Sequence, residues 1–150
     1  GYTVAVTTRP QDSLDGLVAE GTSLAGKVLP FYCDVTDEVG MARTVEAIEA
    51  EAGRIVLAIF NAGTYQPVHA ESLNLAAFRK TYDVNLFGVL YGLVPVIGAM
   101  QKRGRGHIVL MGSVTAYFGW PTTGAYGATK AAVNIMAEAL RFDLDKMNVR

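Results

Sequence analysis

Only one cysteine, Cys33, stands among the 150 residues, so no internal disulfide can staple the chain and no cysteine cluster can hold zinc. Cys33 ends an apolar run and is expected to be buried filler, in keeping with a reducing, cytoplasmic setting. Histidine is nearly as scarce. His69 and His107 lie far apart with no H-E-x-x-H pairing, and no metal site is expected. Charged residues make up 18% of the chain with a net charge of −1, which excludes the basic face that nucleic acid or an anionic membrane surface would need. No G-x-S-x-G elbow is present, so a serine-hydrolase reading has no anchor. Gly1 leads straight into Tyr2-Thr3-Val4-Ala5-Val6 without a basic n-region, and no secretory signal is expected.

What is present is apolar residue, 51% of the chain, too much for a disordered segment and enough for one domain with a core. Val84–Gln101 is uncharged and long enough to cross a membrane. Asn85, Gly88, Gly92, Pro95 and Gly98 interrupt it, and Arg79, Lys80 and Asp83 continue the same helix upstream. A helix buried within a soluble fold is the reading that follows. Gly21–Val28 nearly spells a phosphate-binding P-loop, but Val28 stands where a hydroxyl is needed, and the stretch leads into a strand instead of a helix.

Short apolar runs alternate with amphipathic stretches. Strands are expected at Thr3–Thr8, Lys27–Tyr32, Arg54–Phe60 and Gly106–Gly112; the last two are unbroken apolar runs suited to a parallel sheet covered on both faces. Helices are expected from a Thr36 cap to Ala52 with Gly53 as stop, from an Asn74 cap to Lys102, and onward from near Thr122, with a short one around Gln11–Ala19. This alternation means one doubly wound α/β domain, a three-layer α/β/α arrangement of Rossmann-like type.

Tyr126 and Lys130 are four apart on the last helix and share a face. That spacing is common by chance, but its surroundings are not. Ser113 ends an apolar strand, where ligands bind in open parallel sheets. Asn85 sits inside an apolar helix, where an amide is costly unless hydrogen-bonded. Asn61-Ala62-Gly63 follows the other apolar strand.

The pieces Asp34-Val35-Thr36-Asp37, Asn61-Ala62-Gly63, Val84-Asn85, Gly112-Ser113 and Tyr126-Gly-Ala-Thr-Lys130 resemble, in order and spacing, the short-chain dehydrogenase/reductases across essentially the whole chain. The resemblance implies an oxidoreductase with a small-molecule carbonyl or alcohol substrate. Tyr126 would be its acid/base, Lys130 the cation beside it and a partner of the nicotinamide ribose, and Ser113 the holder of the substrate oxygen. Asn85 would bind a water that links Lys130 to solvent. A phenol titrates near pH 10, and a cation within about 4–6 Å favours its anion, which is the physical use of such a lysine.

Cofactor contacts are implied at Arg9, Asp34, Val35, Asn61, Ala62 and Gly63, together with Tyr126 and Lys130. NAD-using members usually carry an acid where Thr8 stands, and Arg9 can pair with a 2′-phosphate, so NADP(H) is favoured with NAD(H) possible. Phe60 and Gly112 depart from the family's commoner asparagine and serine without removing a catalytic group. The family's first strand and its glycine-rich phosphate loop would precede Gly1, between the strands at Thr3–Thr8 and Arg54–Phe60, and its substrate lid would follow Arg150. The complete protein would be a homodimer or homotetramer. Two other readings stay open: a cofactor-binding regulatory or inactive member, and a dehydratase or epimerase of the extended branch.

Overall fold

A computed structural model describes all residues from Gly1 to Arg150. Four parallel strands form two separate pairs. Strand β1 (Thr3–Thr8) pairs with β2 (Lys27–Tyr32), and β3 (Leu57–Phe60) pairs with β4 (His107–Leu110). No ladder joins β1 to β3, so each pair presents an inner edge with unpaired backbone groups. Beyond β4, Gly106 bridges in parallel to Val149, and Arg150 exchanges backbone bonds with Gly106 and Ile108.

The helices that connect them are α1 (Asp15–Gly21), α2 (Glu38–Ala52), α3 (Leu75–Tyr82), α4 (Gly88–Arg103) and α5 (Gly124–Lys146). Helices α2 and α4 pack on one another, and α5 lies against α3, β4 and the segment that joins α3 to α4. The core runs between them through Val45, Val96, Met100, Leu144 and Val149, with Phe60 and Ile108 of the sheet packed against it. Met100 is fully buried, and a side chain at Gly106 would collide with its sulfur. That close approach explains the glycine.

Strands β1 and β2 match the expected bounds; the other elements differ for local reasons. Strand β3 starts at Leu57 rather than Arg54. The Ile55 amide donates to Glu49 Oε1 (3.1 Å), and its carbonyl accepts from Arg103 Nη2 (2.9 Å), so α2 and α4 hold this stretch out of the ladder. Strand β4 is shorter than expected, His107–Leu110, because Gly106 bridges to Val149 instead and the chain leaves the ladder after Leu110. Continuous cover of both faces is not found: Leu57 and Ile59 of β3 remain 48% and 57% exposed. Helix α2 is capped by Asp37, whose carboxylate accepts from Gly40 N (2.9 Å), because the Thr36 hydroxyl is turned back to Asp34. It stops at Gly53, whose φ of +84° is open to glycine. Helix α1 starts later than expected, after Arg9 and Asp12 have paired. Asn74 caps α3 by accepting from Ala76 N (2.9 Å).

The long helix expected from Asn74 to Lys102 is continuous in direction but not in hydrogen bonding. Asp83–Phe87 forms one π-helical turn between α3 and α4, around Asn85. Such turns insert an extra residue into the ladder and gather at functional sites. The whole run Leu75–Arg103 is long and apolar enough to cross a membrane by length and composition. Here its core-facing residues Val89, Leu93, Val96 and Met100 pack within the domain.

Candidate active site

Three of the parallel strands, β2 of one pair and β3 and β4 of the other, end in polar or loop residues of interest. Asp34 follows β2, Asn61 follows β3, and Met111 follows β4, all at the carboxyl edge where open α/β sheets bind ligands. A cleft of about 500 Å³ opens there, lined by Asn61, Gly63, Thr64, Tyr65, Met111, Thr115, Thr123, Tyr126 and Lys130.

Helix α5 carries Tyr126 and Lys130 on the face turned to this cleft. Lys130 is only 4% exposed, and no carboxylate pairs with it. Its Nζ donates to the Met111 carbonyl at 2.7 Å and lies 5.8 Å from the centroid of the Tyr126 ring. Burial pushes its pKa below the ordinary lysine value, because the cation has lost water without gaining a counter-charge. An ammonium has three donors, and the Met111 carbonyl takes one.

Asn85 is fully buried at the π turn. Its Oδ1 accepts from Thr64 N (2.7 Å), and its Nδ2 donates to Thr64 O (2.9 Å) and to Thr129 Oγ1 (3.2 Å). Thr129 in turn donates to the Tyr126 carbonyl at 2.7 Å. The side-chain amide therefore clamps the loop after β3 to α5, with both of its N–H groups committed. A water relay would have to use the second lone pair of Oδ1 or the backbone of the π turn. Gly63 lies alongside: a Cβ there would come within 3.5 Å of Asn85 Oδ1 and 4.0 Å of Lys130 Nζ.

Ser113 is partly buried just behind the cleft wall. Its hydroxyl is 2.9 Å from Thr115 Oγ1 and accepts weakly from Thr115 N (3.3 Å). Thr115, not Ser113, is the residue that lines the cavity. With the proton of Thr115 directed at Ser113, the Ser113 O–H remains free to donate.

The expected cofactor residues divide. Asn61, Ala62 and Gly63 are exposed at the end of β3. Asp34 uses one oxygen, Oδ1, to accept from the Thr36 amide (2.9 Å) and hydroxyl (2.8 Å). The Thr36 amide chiefly, then its hydroxyl and the Arg9 charge, hold the Asp34 carboxyl below its usual value against an opposing effect of burial. Its other oxygen stays open. Val35 packs against the backbone of Gly88, where a Cβ would come within 2.9 Å of it. Arg9 is engaged by Asp12 through Nε–Oδ2 (2.8 Å) and Nη2–Oδ1 (3.3 Å) at the surface.

The bonds that Thr64 makes to Asn85, the role of Thr129 and the Met111 carbonyl were not read from sequence. Thr64 follows the Asn-Ala-Gly triplet and Thr129 lies inside the Tyr-x-x-x-Lys spacing, so adjacency was the available signal. A backbone carbonyl leaves none.

Parallel strands alternating with helices, with a tyrosine and a buried lysine at their carboxyl ends, make a doubly wound α/β architecture with a ligand-binding edge. The chain belongs to the short chain dehydrogenase family, whose description matches residues 1–150. It is 32% identical over 150 residues to an uncharacterized oxidoreductase of Myxococcus xanthus, covering all of this chain and 59% of that protein. Among solved structures it resembles NAD+-bound xylitol dehydrogenase, with a TM-score of 0.93 and 26% identity over 100% of this chain and 58% of that one. It also resembles the closed form of serine dehydrogenase complexed with NADP+, with a TM-score of 0.87 and 28% identity over 100% of this chain and 60% of that one. The chain thus spans about three-fifths of the length of the relatives it matches.

Proposed function

We propose that the complete protein is an oxidoreductase that transfers a hydride between NADP(H) and a small-molecule carbonyl or secondary alcohol. The observation that carries this reading is the buried, unpaired Lys130 with its ammonium 5.8 Å from the Tyr126 ring in an open cleft. A binding module has no use for a desolvated cation beside a phenol; an acid/base tyrosine does.

The residues present fit a dinucleotide. Exposed Asn61, Ala62 and Gly63, the open Asp34 oxygen and the two remaining Lys130 donors offer polar groups along one edge, with Val35 beside Asp34. Asp34 would accept from the adenine amine, and Lys130 would donate to the nicotinamide ribose. The bound cofactor supplies or accepts the hydride. Tyr126 gives its phenolic proton to the carbonyl oxygen in reduction and takes it back in oxidation, and the Lys130 charge stabilises the anion formed in between. Ser113, oriented by Thr115, donates to the substrate oxygen as negative charge develops there. Asn85 holds the loop after β3 against α5, so that Gly63, Thr64 and Tyr126 keep their spacing.

Thr8 and Arg9 support NADP(H): no carboxylate ends β1 to meet ribose hydroxyls, and Arg9 can exchange Asp12 for a 2′-phosphate. Exposed Val94, Ile135 and Phe142 on α4 and α5 support assembly as a homodimer or homotetramer, and the lone free Cys33 supports a cytoplasmic location. Replacing Tyr126 by Phe in the complete enzyme should lower turnover about 10²-fold or more, the scale of lost general acid catalysis. Turnover of that variant within a few-fold of the parent would sink the reading.

A further inference from the structure

The cleft contains a second tyrosine with no role in the chemistry above. Tyr65, on the loop after β3, meets Tyr126 edge to face, with ring centroids 5.8 Å apart and planes at 82°. Its hydroxyl is hydrogen-bonded to Thr122 Oγ1. Thr122 also accepts from the Val68 amide at 3.0 Å through its own carbonyl. One threonine therefore ties the loop before α5 to the loop after β3 twice, through side chain and main chain.

Thr122 is an unusual residue for its place. Trp120–Thr123 is a turn closed by the Thr123 amide on the Trp120 carbonyl (3.2 Å), with Pro121 at its second position and Thr122 at its third. Thr122 has φ of +68°. A turn with proline second and positive φ third is of type II, whose third position favours glycine. A β-branched residue there is strained, and such strain persists only where surrounding contacts over-determine it. Glycine would fit that backbone freely but could not supply the hydroxyl that Tyr65 uses.

We propose that Tyr65 is a positioning residue for Tyr126, held in place by the strained Thr122, so that the two loops flanking the cleft fix the orientation of the acid/base ring. The role rests on the hydride-transfer reading above. The Tyr65 ring packs edge to face on Tyr126, and the hydroxyl bond to Thr122 stops Tyr65 from swinging away from it. The catalytic oxygen is then presented by a ring with one orientation instead of several.

The test uses the complete enzyme, with NADPH and a carbonyl substrate that it turns over. Tyr65→Phe keeps the ring and breaks the clasp, Tyr65→Leu removes both, and Thr122→Gly relaxes the turn while removing the hydroxyl. Loss of one neutral hydrogen bond corresponds to a decrease in kcat of about 3–10-fold for Tyr65→Phe and for Thr122→Gly, and Tyr65→Leu should lose more. KM for NADPH should stay within about two-fold in all three, since none of these groups is a cofactor contact. Thr122→Gly should melt no lower than the parent, which separates positioning from stability, and the double variant Tyr65→Phe/Thr122→Gly should be no slower than either single one. Unchanged kcat in Tyr65→Phe and Thr122→Gly, or additive losses in the double variant, would overturn the role while leaving the enzyme assignment intact. Parent enzyme without hydride transfer, or a Tyr126→Phe variant of normal activity, would overturn the assignment itself and this role with it.

Discussion

Asn85→Ala should be among the most damaging single changes to this domain. The wild-type amide is fully buried and makes three bonds, at 2.7, 2.9 and 3.2 Å. Truncation leaves the Thr64 amide and carbonyl without their partners. Each buried polar group left unpaired costs about 1–3 kcal/mol. Thr64 is only half-buried, so water can recover part of this, and the Thr129 hydroxyl keeps its bond to the Tyr126 carbonyl. The expected loss is about 2–4 kcal/mol, or a fall in Tm of roughly 5–15 °C for a protein of this size. Thermal unfolding of the complete protein, followed by near-ultraviolet circular dichroism, measures it.

Asn85→Asp sharpens the test. The carboxylate keeps the acceptor for the Thr64 amide but loses both donors and faces the Thr64 carbonyl. Burial and that carbonyl raise the new carboxyl's folded pKa above its unfolded value. Its protonated form can donate to the Thr64 carbonyl, so stability relative to the parent should be best below about pH 4 and be lost as pH rises through the folded pKa. An Asn85→Ala protein melting within about 2 °C of the parent would refute the clamp, and so would an Asn85→Asp protein with no such pH dependence.

Lys130→Met should abolish measurable turnover yet melt no lower than the parent at pH 7, because it removes a desolvated charge and frees only one half-exposed carbonyl. The Lys130 pKa is lowered on folding, so the parent gains stability as pH rises from the folded pKa toward the unfolded value near about 10.4; the gap between the two melting curves should narrow across that window, and a widening gap would contradict the sign. Arg9→Met should weaken NADPH binding by about 1.5–3 kcal/mol with little change for NADH, while Asp12→Asn, by releasing Arg9, should tighten NADPH up to about five-fold; calorimetry on the complete protein decides both. Gly127→Ala places a Cβ within 2.9 Å of the Thr115 carbonyl, and should cost about 1–3 kcal/mol in urea unfolding as the loop carrying Ser113 is pushed away. Unchanged stability there would mean that the loop yields freely.

Local pattern alone determined much of this protein. The strand bounds of β1 and β2, the Gly53 stop and the Asn74 cap depend on alternation, turn chemistry and capping within a few residues, and sequence carries those directly. Tyr126, Lys130, Asn85 and Asn61-Ala62-Gly63 stand out in the sequence for another reason: each is a residue type that is costly or odd in its local setting, and their order matches a family. Tertiary structure decided what those groups touch. Whether α2 is capped by Thr36 or Asp37 depended on Asp34 capturing the Thr36 hydroxyl first. The retreat of β3 to Leu57 required Glu49 on the preceding helix and Arg103, 48 residues from Ile55, to take the Ile55 backbone groups. The Thr64–Asn85–Thr129 clamp and the Tyr65–Thr122 clasp join segments 21 to 57 residues apart. Periodicity has no access to contacts of that kind, because a hydrogen bond across a fold is set by where two elements come to rest and not by what precedes either residue in the chain.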